Sequence, residues 1–317
     1  MQVLYFLSQQ TMFFAIPLLI VALGGMFSER SGVVNIALEG IMIMGGFVSI
    51  LFVYFMQDTI HGQLLLFLAL LVAGASGLVF SLLHAYASIN MKADQIISGT
   101  ALNMLAPAVA IFTARMIRNV QQIPFKNQFH IRSVPLLGKI PIIGPMLFQN
   151  AYITTYIGFA ILVVSSIVLY KTRFGLRLRA CGEHPQAADA VGISVYKMRY
   201  AGVMISGMLG GMGGLIFVVP TSTDFNADVA GYGFLALAVL IFGQWKPWRI
   251  FYSALFFGIL KTVAAAYSAI PIIQDWTISS EIYKMIPYIA TLVVLAFSSK
   301  RSQAPKAAGQ PYDKSGR

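Results

Sequence analysis

Long runs of apolar residues, separated by short polar intervals, set the pattern of the chain. Nine such runs fall at 11–26, 40–56, 63–89, 96–114, 151–170, 200–220, 232–245, 249–270 and 282–298. A membrane-crossing helix needs about 20 mostly apolar residues, and most of the runs approach or exceed that length. They are continuous rather than alternating residue by residue, which disfavours a transmembrane β-barrel. The pattern predicts an all-α polytopic membrane protein of about nine segments. Two runs, 40–56 and 232–245, are short for a crossing, and each follows a polar, Gly-containing stretch: SGVVNIALEG (31–40) and TSTDFNADVAGYG (221–233). Such units at corresponding places in two halves are what inverted transporter repeats with broken or re-entrant helices leave in a sequence. Two ordinary loops containing Asn and Gly would leave the same trace.

Composition agrees. Of the 317 residues, 58% are hydrophobic and only 10% charged, with a mean hydropathy of +0.76. Soluble domains are nearer a quarter charged, so lipid is the solvent that fits. The opening MQVLYFLSQQ carries no basic region and no small-residue cleavage site follows, so the first helix is not expected to be a removable signal. The single Cys181 excludes an internal disulfide and a cysteine metal cluster.

The net charge of +11 bears on orientation rather than on nucleic acid, because the basic residues lie in membrane loops. If the 171–199 loop is cytoplasmic and every segment crosses once, fifteen of the 22 Lys and Arg lie inside and five flank or lie in one external connection. The expected arrangement is therefore a plasma- or inner-membrane domain over 1–299. Its amino terminus is outside, loop 115–150 is extracellular, loop 171–199 is cytoplasmic, and the carboxyl terminus is cytoplasmic. The four prolines Pro124, Pro135, Pro141 and Pro145 point to an ordered lobe in the external loop. The polar tail 300–317 lacks apolar periodicity and is expected to be disordered.

The segment RFGLRLRACGEHPQAADAVGISVYKMRYAGVMISGMLGGMGGL (173–215) is the most informative. Its first part is longer than a hairpin needs. Pro185 suits a first helical position, Ala187, Ala188, Ala190 and Val191 continue a short helix with a small-residue surface, and Gly192 can end it. Ser194 can cap the membrane helix that follows. A short helix of this kind is shaped to dock in a groove of another protein, although a passive amphipathic loop on the lipid surface would have the same composition. Gly207, Gly210, Gly211 and Gly214 give two overlapping G-x-x-x-G spacings, which speak of close helix packing and not of substrate.

This segment resembles the cytoplasmic coupling region of ABC importer permeases that serve ribose-type sugars, branched-chain amino acids and nucleosides. The resemblance extends to VVNIALEGIMIMGGF (33–47), ADQIISGTALNMLA (93–106) and GYGFLALAVLIFGQWKP (231–247), in the family's order and over most of the hydrophobic chain. RACGEHPQAADAVGI and ADQIISGTALN are most similar to the nucleoside-type permeases linked to binding lipoproteins. The resemblance implies two permease chains, often a non-identical pair, enclosing a path above two cytoplasmic ATPases. An extracellular binding lipoprotein would deliver a small-molecule substrate. Glu183, Pro185, Ala187, Ala188 and Gly192 would then lie in the stretch that sits in a groove of the ATPase. ATP and Mg would be bound by that partner. No G-x-x-x-x-G-K-[ST] occurs here, since Gly138-Lys139 is followed by Ile140, so the chain has no phosphate-binding loop of its own.

Polar residues at membrane depth are the candidates for the path: Asn35, Glu39, Asn103, Phe225 with Asn226, and Lys261. Each Asn could instead make a helix-to-helix or cap hydrogen bond. Glu39 could start a helix, its charge meeting the positive dipole end. Lys261, about twelve residues into its segment and so near mid-membrane, could snorkel or pair with an acid. Aromatics such as Phe225, Tyr232 and Phe234 could stack on a nucleobase, but aromatic residues are 13% of the chain. Two other classes compete. A secondary transporter or channel explains the helices but not the Ala- and Gly-rich loop 173–199, and an ion-driven carrier should offer more intramembrane carboxylates. An enzyme would need a catalytic or metal constellation, and His61, His84, His130 and His184 are scattered without one. Nucleosides are the first expectation for cargo, then simple sugars, then branched-chain amino acids.

Overall fold

The computed structural model describes residues 2–135, 137–266, 280–298 and 303–314. Its helices are α1 (Gln2–Arg30), α2 (Leu38–Met56), α3 (Gly62–Ala85, extended by a π-helical turn to Asn90), α4 (Gln95–Arg118), α5 (Ile153–Lys171), α6 (Arg173–Glu183), α7 (Pro185–Ala190), α8 (Val195–Thr221), α9 (Tyr232–Phe242), α10 (Pro247–Ala265) and α11 (Ser280–Ser298). Each of the nine apolar runs carries a helix. Among the described residues seven helices, α1 to α5, α8 and α10, are long and apolar enough to cross a membrane. The end of the predicted segment 249–270 lies outside the described residues.

Two opposite faces can be defined from the contacts. One carries the connection 119–152, which is built as predicted for an ordered lobe. Strand β1 (Ile123–Pro124) pairs with β4 (Asp224–Phe225), and β2 (His130–Ser133) pairs with β3 (Gln149–Tyr152), both antiparallel. The start of α1 and the end of α2 reach this hairpin face, Gln9 through Pro145 O at 2.6 Å and Gln57 through the Lys126 N–H at 2.9 Å. The other face carries α6 and α7, the end of α1 and the start of α4.

Packing follows hydropathy. Helices α1 and α8 are apolar all round and sit at the centre, with 83% and 78% of their most apolar windows buried. Helix α4 is peripheral, at 22%, and turns Ile97, Met104, Phe112 and Met116 outward. The predicted glycines bring α8 onto its neighbours. A Cβ at Gly211 would strike the α3 backbone at Ala73, and one at Gly214 the α2 backbone at Met42.

The neighbours are exchanged in pairs: α8 packs on α3 as α1 packs on α10, and α2 on α8 as α9 on α1. Helix α4 lies against α2 and α3 much as α11 lies against α9 and α10. Helix α2 runs toward the hairpin face and α9 away from it, ending where Trp245 meets Glu29 and Arg30 at the end of α1. The two halves are thus related as an inverted repeat.

The two polar approaches differ in consequence. Residues 31–37 and 222–231 are largely non-helical, as their composition suggests. After the first, α2 starts at Leu38 and is a full 19 residues, so it is not short. After the second, α9 has 11 residues and rises roughly 16 Å, about half the apolar thickness of a bilayer. The broken element is α9.

The tail also departs from expectation. Residues 303–314 are folded against the α6–α7 face rather than disordered. They are held chiefly by backbone hydrogen bonds, which any side chain permits and composition therefore does not report.

Candidate functional site

The non-helical approaches bring the starts of α2 and α9 together inside the molecule. Glu39, in the first turn of α2, accepts the backbone N–H groups of Gly231 at 2.9 Å and Gly233 at 2.6 Å. Gly231, at φ +72°, is the residue before α9. One carboxylate, carried in the first turn of α2, therefore satisfies donors at the positive dipole end of α9. Gly233 has no room for a side chain, because a Cβ there would strike the backbone of Glu39 itself. Glu39 begins a helix as the dipole argument anticipated, and it caps a second helix as well.

Asn35 and Asn103 are engaged in structural bonds. Asn35 is fully buried; its amide donates to Ser206 Oγ on α8 at 2.9 Å, and its Oδ1 accepts the Ala37 N–H. Asn103 on α4 accepts the Gly40 N–H at 2.7 Å and donates to Ile36 O at 2.9 Å. His84 and Gln95 hold the same segment through Val34 O and the Val34 N–H. These are the helix-to-helix and cap bonds that sequence alone left as the alternative. They immobilise residues 33–40.

Lys261 has a different setting. It lies one turn before the end of α10 on the hairpin side, where Thr262 meets Thr11 of α1 at 3.2 Å, and so nearer that face than the middle. With Tyr232, Tyr288, Phe217, Thr221 and Gln10 it lines a cavity of about 720 Å³ between α1, α8, α10 and α11. That size is usual for small-molecule sites. Phe225 is buried instead, 2% exposed in β4 beside Gly46, and Asn226 is exposed. Neither lines this cavity. Tyr232 does, while Phe234, named with it, is turned outward.

On the opposite face, the stretch 172–194 is two helices. Helix α6 was not foreseen, although Phe174 and Leu178 stand at i, i+4 with Arg173 and Arg177 beside them, and Thr172 Oγ1 accepts the Gly175 N–H at its start. Helix α7 begins at Pro185, as predicted. Pro185 and Ala188 are buried, whereas Ala187 and Val191 face outward, Val191 at 75% exposure. Gly192, at φ +83°, turns the chain after the helix, and the Ile193 N–H returns to Ala188 O. Glu183 is half-exposed and 3.5 Å from Arg30 at the end of α1. Ser194 precedes α8 but its side chain makes no cap bond.

The folded tail crosses this face as a strap. The Gln303 N–H donates to Gln244 Oε1 beyond α9, Ala307 N–H to Gly182 O on α6, and Gly309 N–H to Gly32 O after α1. Arg199 of α8, only 1% exposed, donates to Gln310 O at 2.9 Å. Tyr312 is buried in a cluster with Cys181, Ala188 and Val195, and Asp313 pairs with Lys92 at 2.7 Å. Burial pushes the Cys181 thiol up to about 11. Arg199, Tyr288 and the Glu29–Trp245 bond escaped sequence reading, since isolated residues in a long chain carry no spacing signal. Among the described residues no group of His, Cys, Asp and Glu could hold a metal ion.

Comparison with known proteins agrees over nearly the whole chain. The family model described as "Branched-chain amino acid transport system / permease component" matches residues 8–295. The guanosine ABC transporter permease protein NupQ of Bacillus subtilis is 44% identical over 99% of this chain and 98% of its own. The nucleoside ABC transporter permease protein NupC of Lactococcus lactis is 42% identical over 95% of each. A second protein of that organism, the nucleoside ABC transporter permease protein NupB, is 23% identical over 92% of this chain and 81% of its own. No solved structure is matched.

Proposed function

The chain belongs to the family of branched-chain amino acid transport-system permease components, and on that premise we propose that it carries nucleosides inward across the plasma membrane as one subunit of an ATP-driven importer. The observation that carries the cargo is the 44% and 42% identity, over almost full length, to permeases named for guanosine and nucleosides. The reading of the machinery rests on α7. Its buried side fixes it to the membrane domain, and its exposed side offers a small-residue surface around Ala187 to a groove.

In this reading Glu183, Pro185, Ala187, Ala188 and Gly192 belong to the coupling element for a cytoplasmic ATPase, which binds ATP and Mg. The hairpin face is extracellular and receives ligand from a binding lipoprotein. Both termini follow the positive-inside count, amino end outside and carboxyl end inside. A second, non-identical permease completes the path; the occurrence of NupB and NupC in one organism supports such a pair. The peripheral, apolar α4 is a surface suited to that partner or to lipid. Access alternates between the cavity beside Lys261 and the α6–α7 face. The uninterrupted bonds of Asn35, Glu39 and Asn103 keep the centre rigid while the halves move.

Uptake of labelled nucleosides, ribose and leucine by cells with and without this chain tests the cargo. Selective loss of nucleoside uptake is expected, together with its abolition when the partner ATPase cannot hydrolyse ATP. Loss of ribose or leucine uptake instead would leave the permease and replace the cargo. Transport independent of any ATPase would make this a secondary carrier. Orientation is tested in a Cys181→Ala background: a membrane-impermeant maleimide should label Arg132→Cys in intact cells and Gln186→Cys only after lysis.

A further inference from the structure

The cavity on the hairpin side joins aromatic faces to a cation. A groove of about 530 Å³ between α3, α5 and α8 is walled by side chains such as Leu71, Val164 and Met208 and offers a polar ligand little. In the 720 Å³ cavity, the Lys261 ammonium stands 5.1 Å from the centre of the Tyr232 ring and 5.0 Å from that of Tyr288. Its one polar contact among the described residues is the Tyr288 hydroxyl at 3.5 Å. Two aromatic faces hold the charge in place while leaving its N–H donors to spare.

Beside it, the rings of Phe217 and Tyr232 are 4.1 Å apart at a tilt of 38°. Tyr232 is 2% exposed, yet its hydroxyl has no hydrogen-bond partner among the described residues. A buried hydroxyl without a partner is unfavourable unless something that enters the cavity supplies one. The site is therefore built for a flat ring system with a hydrogen-bond acceptor on one edge and a further polar group.

We propose, resting on the nucleoside reading above, that this cavity receives the nucleobase and that Lys261 selects bases with a carbonyl over those with an amino group at the position it faces. A purine O6 accepts from an ammonium, whereas an N6 amino group at the same place meets it donor to donor. The Tyr232 hydroxyl supplies a second bond, to a group common to all nucleosides. Inosine carries the O6 carbonyl and adenosine the N6 amino group at that position, with N1 a donor in the first and an acceptor in the second, and the two are the probes of the effect.

The test uses the complete transporter in cells whose own copy of this chain has been removed. Initial uptake of labelled inosine and adenosine is measured for the wild-type chain, Lys261→Met, Lys261→Arg and Tyr232→Phe, each normalised to the amount in the membrane. Lys261→Met should lower inosine uptake about tenfold and adenosine uptake less than about twofold, erasing the preference. Lys261→Arg should keep it, and Tyr232→Phe should lower both without altering their ratio. If Lys261→Met does not reach the membrane, Lys261→Ala serves for the same comparison. An unchanged inosine-to-adenosine ratio without the ammonium overturns the inference while leaving nucleoside transport intact. No uptake of either by the wild-type chain overturns the cargo reading and this inference with it.

Discussion

The carboxylate of Glu39 accepts the backbone N–H of Gly233 at 2.6 Å, so the first turn of α2 caps the first turn of α9 across the centre of the inverted repeat. Removing the acceptor leaves two backbone donors without a partner, the Gly233 one fully buried, at the start of a helix only 11 residues long. Glu39→Ala should destabilise the folded protein by about 3 kcal/mol, measured as loss of thermal stability in detergent. Glu39→Gln retains one acceptor and should lose clearly less.

The two alanines of α7 should separate folding from coupling. Ala187 is exposed, so Ala187→Arg should insert and assemble normally yet lose ATP-driven uptake, because the added bulk would meet the proposed docking groove. Ala188 is 4% exposed between Cys181 and Tyr312, and Ala188→Arg buries a charge without a partner. It should reduce the amount of folded protein in the membrane, with a cost of about 3 kcal/mol or more. Full uptake by Ala187→Arg would remove α7 from the coupling reading.

Helix α8 depends on contact distance at Gly211, where a Cβ meets the α3 backbone. Gly211→Leu should force α8 and α3 apart and cost about 3 kcal/mol, read as a fall in membrane-inserted, protease-resistant protein. A substitution of the same size at Met104, which faces outward from α4, should leave the isolated chain's stability unchanged.

Cys181 reports on the strap. Burial raises its thiol from an ordinary 9.0 to about 11, so at pH 8 only about one molecule in a thousand carries the reactive thiolate. Because the folded-state value is raised, the protonated thiol's contribution to stability is intact below pH 9 and is lost as pH climbs toward about 11. Maleimide labelling at pH 8 should be slow. Ending the chain at Ser302 removes Tyr312 from above the thiol and should speed labelling at least about tenfold, as followed by mass shift.

The membrane helices were legible because each is written as a continuous apolar run, and α7 because Pro185 and Gly192 punctuate it, whereas the charged α6 was not. What the sequence could not convey was where a polar group at membrane depth points. Asn35 and Lys261 read alike as intramembrane polar residues, yet one is saturated by Ser206 and Ala37 and the other lines a cavity. The strap was illegible for a different reason. Gly309, Ala307 and Gln310 bind through their main chain, so their side chains carry no periodicity to detect. The length of α2 was misjudged because the charged Glu39 marked the apolar run as starting only at Gly40, although Leu38 and Glu39 are both helical.

The pairing of β1 with β4 joins the hairpin lobe to the strand that leads into α9. Phe225 is hydrogen-bonded into that ladder, and seven residues later the same backbone supplies Tyr232 to the cavity wall. With so short a tether, and with Glu39 fixing its far end at Gly231, the segment behaves as a lever on a fulcrum. A push on the lobe therefore has a short backbone route to the aromatic wall of the cavity, beside the contacts the lobe makes with α1 and α2.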